Sequence, residues 1–248
     1  MAIQTRQLDY KDGSQTLCGQ LAWDPSSDGP SPGVLVVHTW AGCGEFERGK
    51  AIDLARLGYV ALAVDMYGDG VVGGGPEENA RLMAPLLEDR ALLQRRVLRA
   101  LEALKSLQRV DASRTAAIGF CFGGLCVLDL ARTGAECQGA VSFHGLLDPP
   151  GNLEGVRIRA SVLVLHGWDD PMALPESVAA LGAELTVGGA DWQVHAYGGT
   201  MHAFTNPKAS SPENGTVYSA RADSRSWEAM RDFLGEALGT ARRAPLPA

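Results

Sequence analysis

The sequence lacks several features that would assign it to particular classes of protein. Its apolar runs, such as GVLVV at residues 33–37, are far shorter than the roughly 20 residues that cross a bilayer. Basic residues number 22 against 29 acidic ones, for a net charge of −7, which argues against a nucleic-acid surface. The N-terminus has no apolar segment of the kind found in secretory signals. We therefore expect a cytoplasmic protein without a membrane or nucleic-acid partner.

Cysteine is sparse and irregularly spaced. The five residues are Cys18, Cys43, Cys121, Cys126 and Cys137. Their number is odd and no CxxC pair occurs, so neither a disulfide framework nor a zinc site is indicated. A redox pair of Cys121 and Cys126 is a weak alternative, because five residues across a helix start do not suit the short Cα separation of a disulfide. We expect most of these residues to be reduced core side chains.

The order of apolar runs predicts an α/β fold. A chain of 248 residues with 46% hydrophobic and 21% charged residues is typical of one globular domain, here 1–248 with a flexible tail at 240–248. Strand-like and helix-like segments alternate, which indicates a mainly parallel central sheet with helices on both faces. Predicted strands are 16–22, 33–40, 59–68, 115–120, 139–145, 161–167 and 192–199, and predicted helices are 45–57, 77–107, 122–132, 175–185 and 226–238.

A glycine-flanked cysteine follows one of these strands. GFCFG at residues 119–123 fits the nucleophile elbow G-x-Nuc-x-G, a sharp turn between a strand and a helix. The positive end of the following helix would lower the pKa of the Cys121 thiol and favour the attacking thiolate. The alternative is a buried core thiol in a glycine-rich turn.

Two further strand ends carry an acid and a histidine. HGWDDP at 166–171 offers Asp169 and Asp170, and TMHAF at 200–204 offers His202. Cysteine, aspartate and histidine then occur in the chain order of the α/β-hydrolase triad. Taken singly, the aspartates could be turn formers and the histidine a surface residue, and sequence does not decide which aspartate faces His202.

Other residues near strand ends are candidates for binding a substrate. The main-chain N–H groups of Phe122 and Trp40 would form an oxyanion hole. The candidates that could line a pocket are Thr39, Tyr67, Phe143, Trp168 and Met201, with Cys43 nearby; each of the apolar ones could equally be core or rim.

Together, GFCFGG, HGWDDP, MHAF and the DMYG at 65–68 resemble the dienelactone hydrolase family over residues 16–238. The resemblance implies an α/β-hydrolase fold with Cys121, Asp170 and His202 as the triad; Asp170 is preferred because it fits the family's G-x-x-D-P element. It implies a small ester or lactone substrate opened through a thioester, and no metal or organic cofactor. We expect a monomer or a small homo-oligomer.

The chain departs from the family pattern in two places. Family members usually carry a glutamate where this chain has Thr39. Glu45 is a candidate to replace it, but a glutamate that favours the dipole at the start of a helix is the preferred interpretation. The family binds a substrate carboxylate with arginines, one of them near the position of Asn206, so Arg81 or Arg90 would have to do so here. Two alternatives to hydrolysis remain, an acyltransferase with the same triad and a non-catalytic ligand-binding protein.

Overall fold

The computed structural model describes residues 2–240, which are built around one sheet of eight strands. The strands are β1 (Gln4–Asp12), β2 (Gln15–Trp23), β3 (Ser31–Val37), β4 (Val60–Val64), β5 (Val110–Phe120), β6 (Gly139–Phe143), β7 (Ser161–Gly167) and β8 (Trp192–Tyr197). They lie in the order β1-β2-β4-β3-β5-β6-β7-β8. Strands β1 and β2 are antiparallel to their neighbours, and all the other pairs are parallel. The predicted mainly parallel sheet is confirmed.

Within residues 2–240, six α-helices cover the two faces of this sheet. They are α1 (Glu45–Arg56), α2 (Pro76–Glu88), α3 (Arg90–Lys105), α4 (Phe122–Arg132), α5 (Pro175–Val187) and α6 (Ala220–Ala237). Helices α1 and α6 pack on one face, and α3, α4 and α5 on the other, with α2 packed against α3. Alternate residues of β3 point to opposite faces, Leu35 toward α3 and α4 and Val34 toward α1 and α6. Burial on both faces explains the unbroken apolar runs of the central strands.

The structure differs from the prediction at one strand and one helix. Strand β1 was not predicted, because its sequence QTRQLDYKD is an exposed edge strand with little apolar patterning. The prediction of a single helix over 77–107 is wrong, since Asp89 interrupts the helical conformation and separates α2 from α3. Asp89 has non-helical backbone angles, and its carboxylate caps α3 by accepting the Leu92 N–H at 2.9 Å.

The sequence also predicted a C-terminal tail, a single domain and the absence of a membrane-spanning segment. Of the tail predicted at 240–248, all but Thr240 lies outside the described residues, and the assignment of the whole chain to one domain stays a prediction. Within residues 2–240, no helix combines the length and apolar character needed to cross a membrane.

In the turn between β5 and α4, main-chain atoms pack directly against other main-chain atoms. Cys121 has a φ of 56°, a conformation that costs energy in any residue with a Cβ and is maintained only by strong surrounding constraints. A Cβ added at Gly119 would overlap the carbonyl oxygen of Gly123, and one added at Gly123 would overlap the carbonyl oxygen of Val37. The glycines of GFCFG are therefore required by close packing of α4 against β5 and β3.

We expect Gly123→Ala to lower the free energy of unfolding by about 3 kcal/mol, because the overlapped atom belongs to rigid main chain. Gly49→Ala is the matched control: it lies within α1 and its added Cβ meets no atom within 4 Å, so we expect a gain of about 0.5–1 kcal/mol from helix propensity. Urea unfolding measures both changes. Equal stabilities of Gly123→Ala and the wild type would contradict this account of the turn.

Candidate active site

Three side chains meet at the carboxyl ends of the parallel strands, where open α/β sheets bind their ligands. Cys121 follows β5, Asp170 follows β7, and His202 lies in the loop after β8. The Nδ1 of His202 lies 2.7 Å from Oδ2 of Asp170. Both side chains are buried, each about 1% exposed as a residue. The other carboxylate oxygen of Asp170 accepts the N–H of Met172 at 2.8 Å, which fixes the orientation of the acid.

The backbone of His202 is held by a short hairpin of β9 (Ser210–Ser211) and β10 (Thr216–Val217). Its N–H donates to the Gly215 carbonyl at 2.9 Å, and its carbonyl accepts from Val217 at 3.1 Å. A Cβ at Gly215 would overlap the ring of Pro171. The same hairpin therefore contacts the histidine and the turn that carries Asp170.

The two adjacent aspartates have different surroundings. Asp169 is exposed and its main-chain N–H donates to the Thr200 carbonyl at 2.9 Å. Asp170 is buried and is the one that contacts His202. The geometry thus distinguishes between two residues that the sequence left open.

The thiol and the imidazole shift each other's pKa. Nε2 of His202 is buried and makes no conventional hydrogen bond within residues 2–240, yet it lies close enough to Cys121 to affect both groups. Burial raises the pKa of the Cys121 thiol, but His202 and two main-chain N–H groups outweigh it, so that the net pKa is lowered. Burial lowers the pKa of His202, but Cys121 and Asp170 raise it to about 10. Each group therefore favours the charged form of the other, the thiolate of Cys121 and the imidazolium of His202.

The main-chain N–H groups of Phe122 and Trp40 also lie near enough to the sulfur of Cys121 to lower the thiol pKa. Phe122 is the first residue of α4, so its N–H is one of the unpaired donors at a helix start. Trp40 lies in the loop between β3 and α1. Two donors from separate elements therefore converge on one atom.

Two further buried histidines, which sequence reasoning did not single out, lie beside His202. His144 follows directly after β6, its Nε2 lies 2.8 Å from the Thr205 hydroxyl, and its ring centroid is 5.1 Å from that of His202. His166 lies within β7 and is also buried. Burial lowers the pKa of both, so they remain neutral next to a charged His202. Their positions at the ends of apolar runs, in SFHG and LHG, were the available sequence signal.

The predicted substrate-contacting residues fall in different environments. Trp168 is 46% exposed, while Trp40, Tyr67 and Met201 are partly buried. Phe143, in contrast, points into the core. Its side chain is fully buried, and its ring is stacked on that of Phe120 with the centroids 4.6 Å apart. Assigning Phe143 to the wall of an open pocket is therefore not supported by its position in the core.

Both candidate arginines are engaged away from Cys121. The Arg81 side chain is 72% exposed and lies 3.6 Å from Glu78 on the same helix. Arg90 makes two hydrogen bonds to the buried Asp129, at 2.8 and 2.6 Å. Arg90 is thus held by a buried acid, whereas Arg81 pairs only with an exposed residue of its own helix.

A buried glutamate lies near Thr39, but it is not the one that the sequence suggested. Glu45 is exposed in the first turn of α1, where its negative charge interacts favourably with the helix dipole. Glu47 is 2% exposed and accepts hydrogen bonds from the N–H groups of Thr39 at 3.0 Å and Gly44 at 2.9 Å. A glutamate three residues after a helix N-cap is the capping-box pattern, and this signal could have identified Glu47.

The described residues contain no cluster of three or more histidine, cysteine, aspartate or glutamate side chains arranged to hold a metal ion. The side chains around Cys121 can support nucleophilic chemistry. It combines a partly exposed thiol with a lowered pKa, a buried histidine–aspartate pair and two converging N–H donors.

Comparison with known proteins places this geometry in a family. The model of the dienelactone hydrolase family matches residues 19–238. A solved dienelactone hydrolase-like promiscuous phosphotriesterase from metagenomic libraries is 41% identical, with a TM-score of 0.91 over 96% of this chain and 100% of that one. A Bradyrhizobium protein provisionally named 2-oxo-3-(5-oxofuran-2-ylidene)propanoate lactonase is 29% identical over 82% of this chain and 86% of its own.

An Escherichia coli (strain K12) protein provisionally named carboxymethylenebutenolidase is 26% identical over 84% of this chain and 78% of its own. The family match covers most of the sequence, including the turn at Cys121 and both the Asp170 and His202 loops. The fold agrees with that of the solved phosphotriesterase relative, as the TM-score of 0.91 shows. The chain belongs to the dienelactone hydrolase family and has the α/β-hydrolase fold.

Proposed function

We propose that this chain is a cysteine hydrolase that opens a small carboxylic ester or lactone through a thioester on Cys121. The observation that carries the proposal is the surroundings of the Cys121 sulfur: His202, paired with Asp170, on one side, and the N–H groups of Phe122 and Trp40 on the other. A nucleophile, an oriented base and two oxyanion donors are the parts that acyl transfer requires.

In the acylation step, the Cys121 thiolate attacks the carbonyl carbon, and the carbonyl oxygen becomes an oxyanion. The N–H groups of Phe122 and Trp40, which stabilise the resting thiolate, then donate to this oxygen. As the C–O bond of the ester breaks, protonated His202 gives its proton to the leaving alkoxide. The products are an alcohol and a thioester on Cys121; in a lactone both remain in one molecule.

In the deacylation step, neutral His202 takes a proton from water, and the resulting hydroxide attacks the thioester carbonyl. The C–S bond breaks, which releases the carboxylic acid and restores the thiolate beside protonated His202. Asp170 accepts the Nδ1–H of His202 throughout and thereby keeps Nε2 directed at the reacting atoms.

The charges around the site favour an uncharged acyl group. Arg81 and Arg90, which would have to bind an acidic substrate, contact Glu78 and Asp129 instead. Trp40, Tyr67 and Met201 offer partly buried apolar surface near the strand ends, and apolar walls suit a neutral acyl chain. A neutral ester or lactone is therefore the proposed substrate class.

A second candidate activity is the hydrolysis of uncharged phosphotriesters. The observation that favours it is the 41% identity, over nearly the full length of both chains, to the protein described as a promiscuous phosphotriesterase. The Cys121 thiolate would attack phosphorus and expel an aryloxide, and water would then cleave the P–S bond. The same two N–H groups would stabilise the charge on the phosphoryl oxygen.

The setting of the protein is also a proposal. All five cysteines are free thiols in the structure, which suits the reducing cytoplasm. We propose a cytoplasmic enzyme that acts as a monomer or a small homo-oligomer.

We expect Asp170→Asn to lower kcat for p-nitrophenyl acetate about 10²- to 10⁴-fold, since it removes the carboxylate that orients His202 and stabilises its charge. Asp169→Asn is the matched control: the neighbouring acid is exposed and makes no contact with His202, so kcat should stay close to wild type. Steady-state release of p-nitrophenolate measures both. A greater loss of kcat in Asp169→Asn than in Asp170→Asn would contradict the assignment of Asp170 as the acid that orients His202.

We expect intact-mass spectrometry of the wild type to detect one acetyl group on Cys121 during turnover of p-nitrophenyl acetate, and none on Cys121→Ala. The thioester should be short-lived in water. A lasting acetyl group that leaves only when an alcohol or thiol acceptor is added would indicate an acyltransferase. No acetylation of the wild type would indicate a ligand-binding protein and contradict the proposal.

We expect the alkylation of Cys121 by iodoacetamide to follow a pKa below the usual thiol value in the wild type. In His202→Asn the same pKa should rise, because the largest influence that lowers it is gone while burial, which raises it, remains. Peptide mass spectrometry across pH resolves Cys121 from the buried Cys126, whose pKa burial raises. An unchanged pH profile in His202→Asn would exclude the thiolate–imidazolium pair.

We expect diethyl p-nitrophenyl phosphate to be hydrolysed by the wild type, with the rate following the ester activity through Cys121→Ala and Asp170→Asn. Parallel losses would place both reactions at one sulfur. Phosphotriester hydrolysis that persists in Cys121→Ala would rule out the proposed attack of the thiolate on phosphorus.

A further inference from the structure

The Trp40 N–H lies in a loop, residues 38–44, that has no regular secondary structure. A donor contributes to catalysis only if it is held in place before the reaction begins. Something other than a helix or strand must therefore fix its direction. Three buried or partly buried side chains outside the proposed triad bond to this loop: His38, Glu47 and Tyr67.

The protonation of His38 follows from its two contacts. The side chain is fully buried. Its Nε2 lies 3.1 Å from the main-chain nitrogen of Met66, which can only donate, so Nε2 carries no proton. Its Nδ1 lies 2.5 Å from the carbonyl oxygen of Thr39, which can only accept, so Nδ1 carries the proton. Burial lowers the pKa of His38 and thus favours this neutral form.

The Thr39 carbonyl and the Trp40 N–H belong to the same peptide unit. In a planar trans peptide the C=O and N–H point in opposite directions. A hydrogen bond that fixes the carbonyl toward His38 therefore fixes the N–H on the other side, toward the sulfur of Cys121. Donation into the carbonyl also polarises the amide and strengthens its N–H as a donor.

The peptides on either side are held as well. Glu47 accepts the N–H of Thr39 at 3.0 Å, and the hydroxyl of Tyr67 donates to the Trp40 carbonyl at 2.8 Å. The Tyr67 ring packs against His38 with its centroid at 4.6 Å. The Thr39–Trp40 unit can therefore not rotate without breaking bonds to its neighbours. Of the three side chains, His38 is the one that bonds to that unit's own carbonyl, at 2.5 Å, while the Gly42 N–H donates to the same oxygen at the longer distance of 3.3 Å.

We propose that His38 is a positioning residue for acyl transfer, whose Nδ1–H directs the Thr39–Trp40 peptide so that the Trp40 N–H points at the sulfur and then at the oxyanion. This inference rests on the proposed function. It assigns a role to a residue that does not itself touch the substrate.

Two substitutions separate the contacts of His38. Asparagine places an NH₂ group at the position of Nδ1 and keeps the donor to Thr39, but loses the acceptor for Met66. Glutamine places an oxygen at the position of Nε2 and keeps that acceptor, but loses the donor to Thr39. Each variant breaks one buried hydrogen bond, so urea unfolding should find them destabilised to a similar degree.

We expect His38→Gln to lower kcat for p-nitrophenyl acetate about 10²-fold, with little change in KM, because the oxyanion donor is misplaced. His38→Asn should retain most of the wild-type kcat. The pKa of Cys121, measured by iodoacetamide alkylation, should rise in His38→Gln and not in His38→Asn, since only the former frees the Trp40 N–H to turn away.

Equal kcat values and equal Cys121 pKa values in the two variants would overturn the proposal, because a merely structural histidine would make activity follow stability. A wild type that is never acylated would instead overturn the proposed function. If either variant fails to fold, NMR of the ¹⁵N-histidine-labelled wild type decides: a neutral His38 protonated on Nδ1 supports the proposal, and protonation on Nε2 or on both nitrogens overturns it.

Discussion

Backbone packed against backbone at the turn between β5 and α4 is the constraint on which the candidate site depends. Because Gly123 has no side chain, the start of α4 lies directly against the carbonyl oxygens of Val37 and His38 at the end of β3. The same close approach that strains Cys121 therefore brings the loop after β3 next to its sulfur. The nucleophile turn and the Trp40 donor are two results of one contact between elements.

The electrostatics of the site follow from compensation between buried groups. Burial alone would keep both the Cys121 thiol and the His202 imidazole neutral. Each charge is stabilised only by the other and by its second partner, the amides for the sulfur and Asp170 for the ring. Since His144 next to this pair stays neutral, the positive charge is confined to His202, the one imidazole that lies between the thiol and an acid.

Much of the fold was predictable because its signals are local. Apolar runs and glycine punctuation located seven strands and the helix 122–132, whose bounds the structure confirms. Strand β1 was missed because an edge strand with a solvated face carries no apolar run. The break at Asp89 was missed because a side-chain cap within a helical pattern does not interrupt its periodicity.

The site was less predictable where the role of a residue depends on the direction in which its side chain points. Sequence could propose Asp169 or Asp170, but only the path of the chain after β7 buries one beside His202 and exposes the other. Tyr67 also donates its hydroxyl to the Trp40 carbonyl, a contact that the sequence does not predict. The roles of His38 and Glu47 depend on bonds to main-chain atoms, which leave no trace in side-chain patterns beyond the capping box of Glu47.

Thr39, at the position where the family resemblance implied a glutamate, has a consequence for the resting thiol. A carboxylate beside the sulfur would oppose thiolate formation by like charge. Here Glu47, a buried carboxylate of α1 that contacts this loop, is engaged with the N–H groups of Thr39 and Gly44. The influences that outweigh burial at Cys121 come from His202 and from two amides, all of them already in place. On the proposed function, the thiol needs no rearrangement of a neighbouring acid before it can attack, and its readiness depends on how firmly the loop holds the Trp40 N–H.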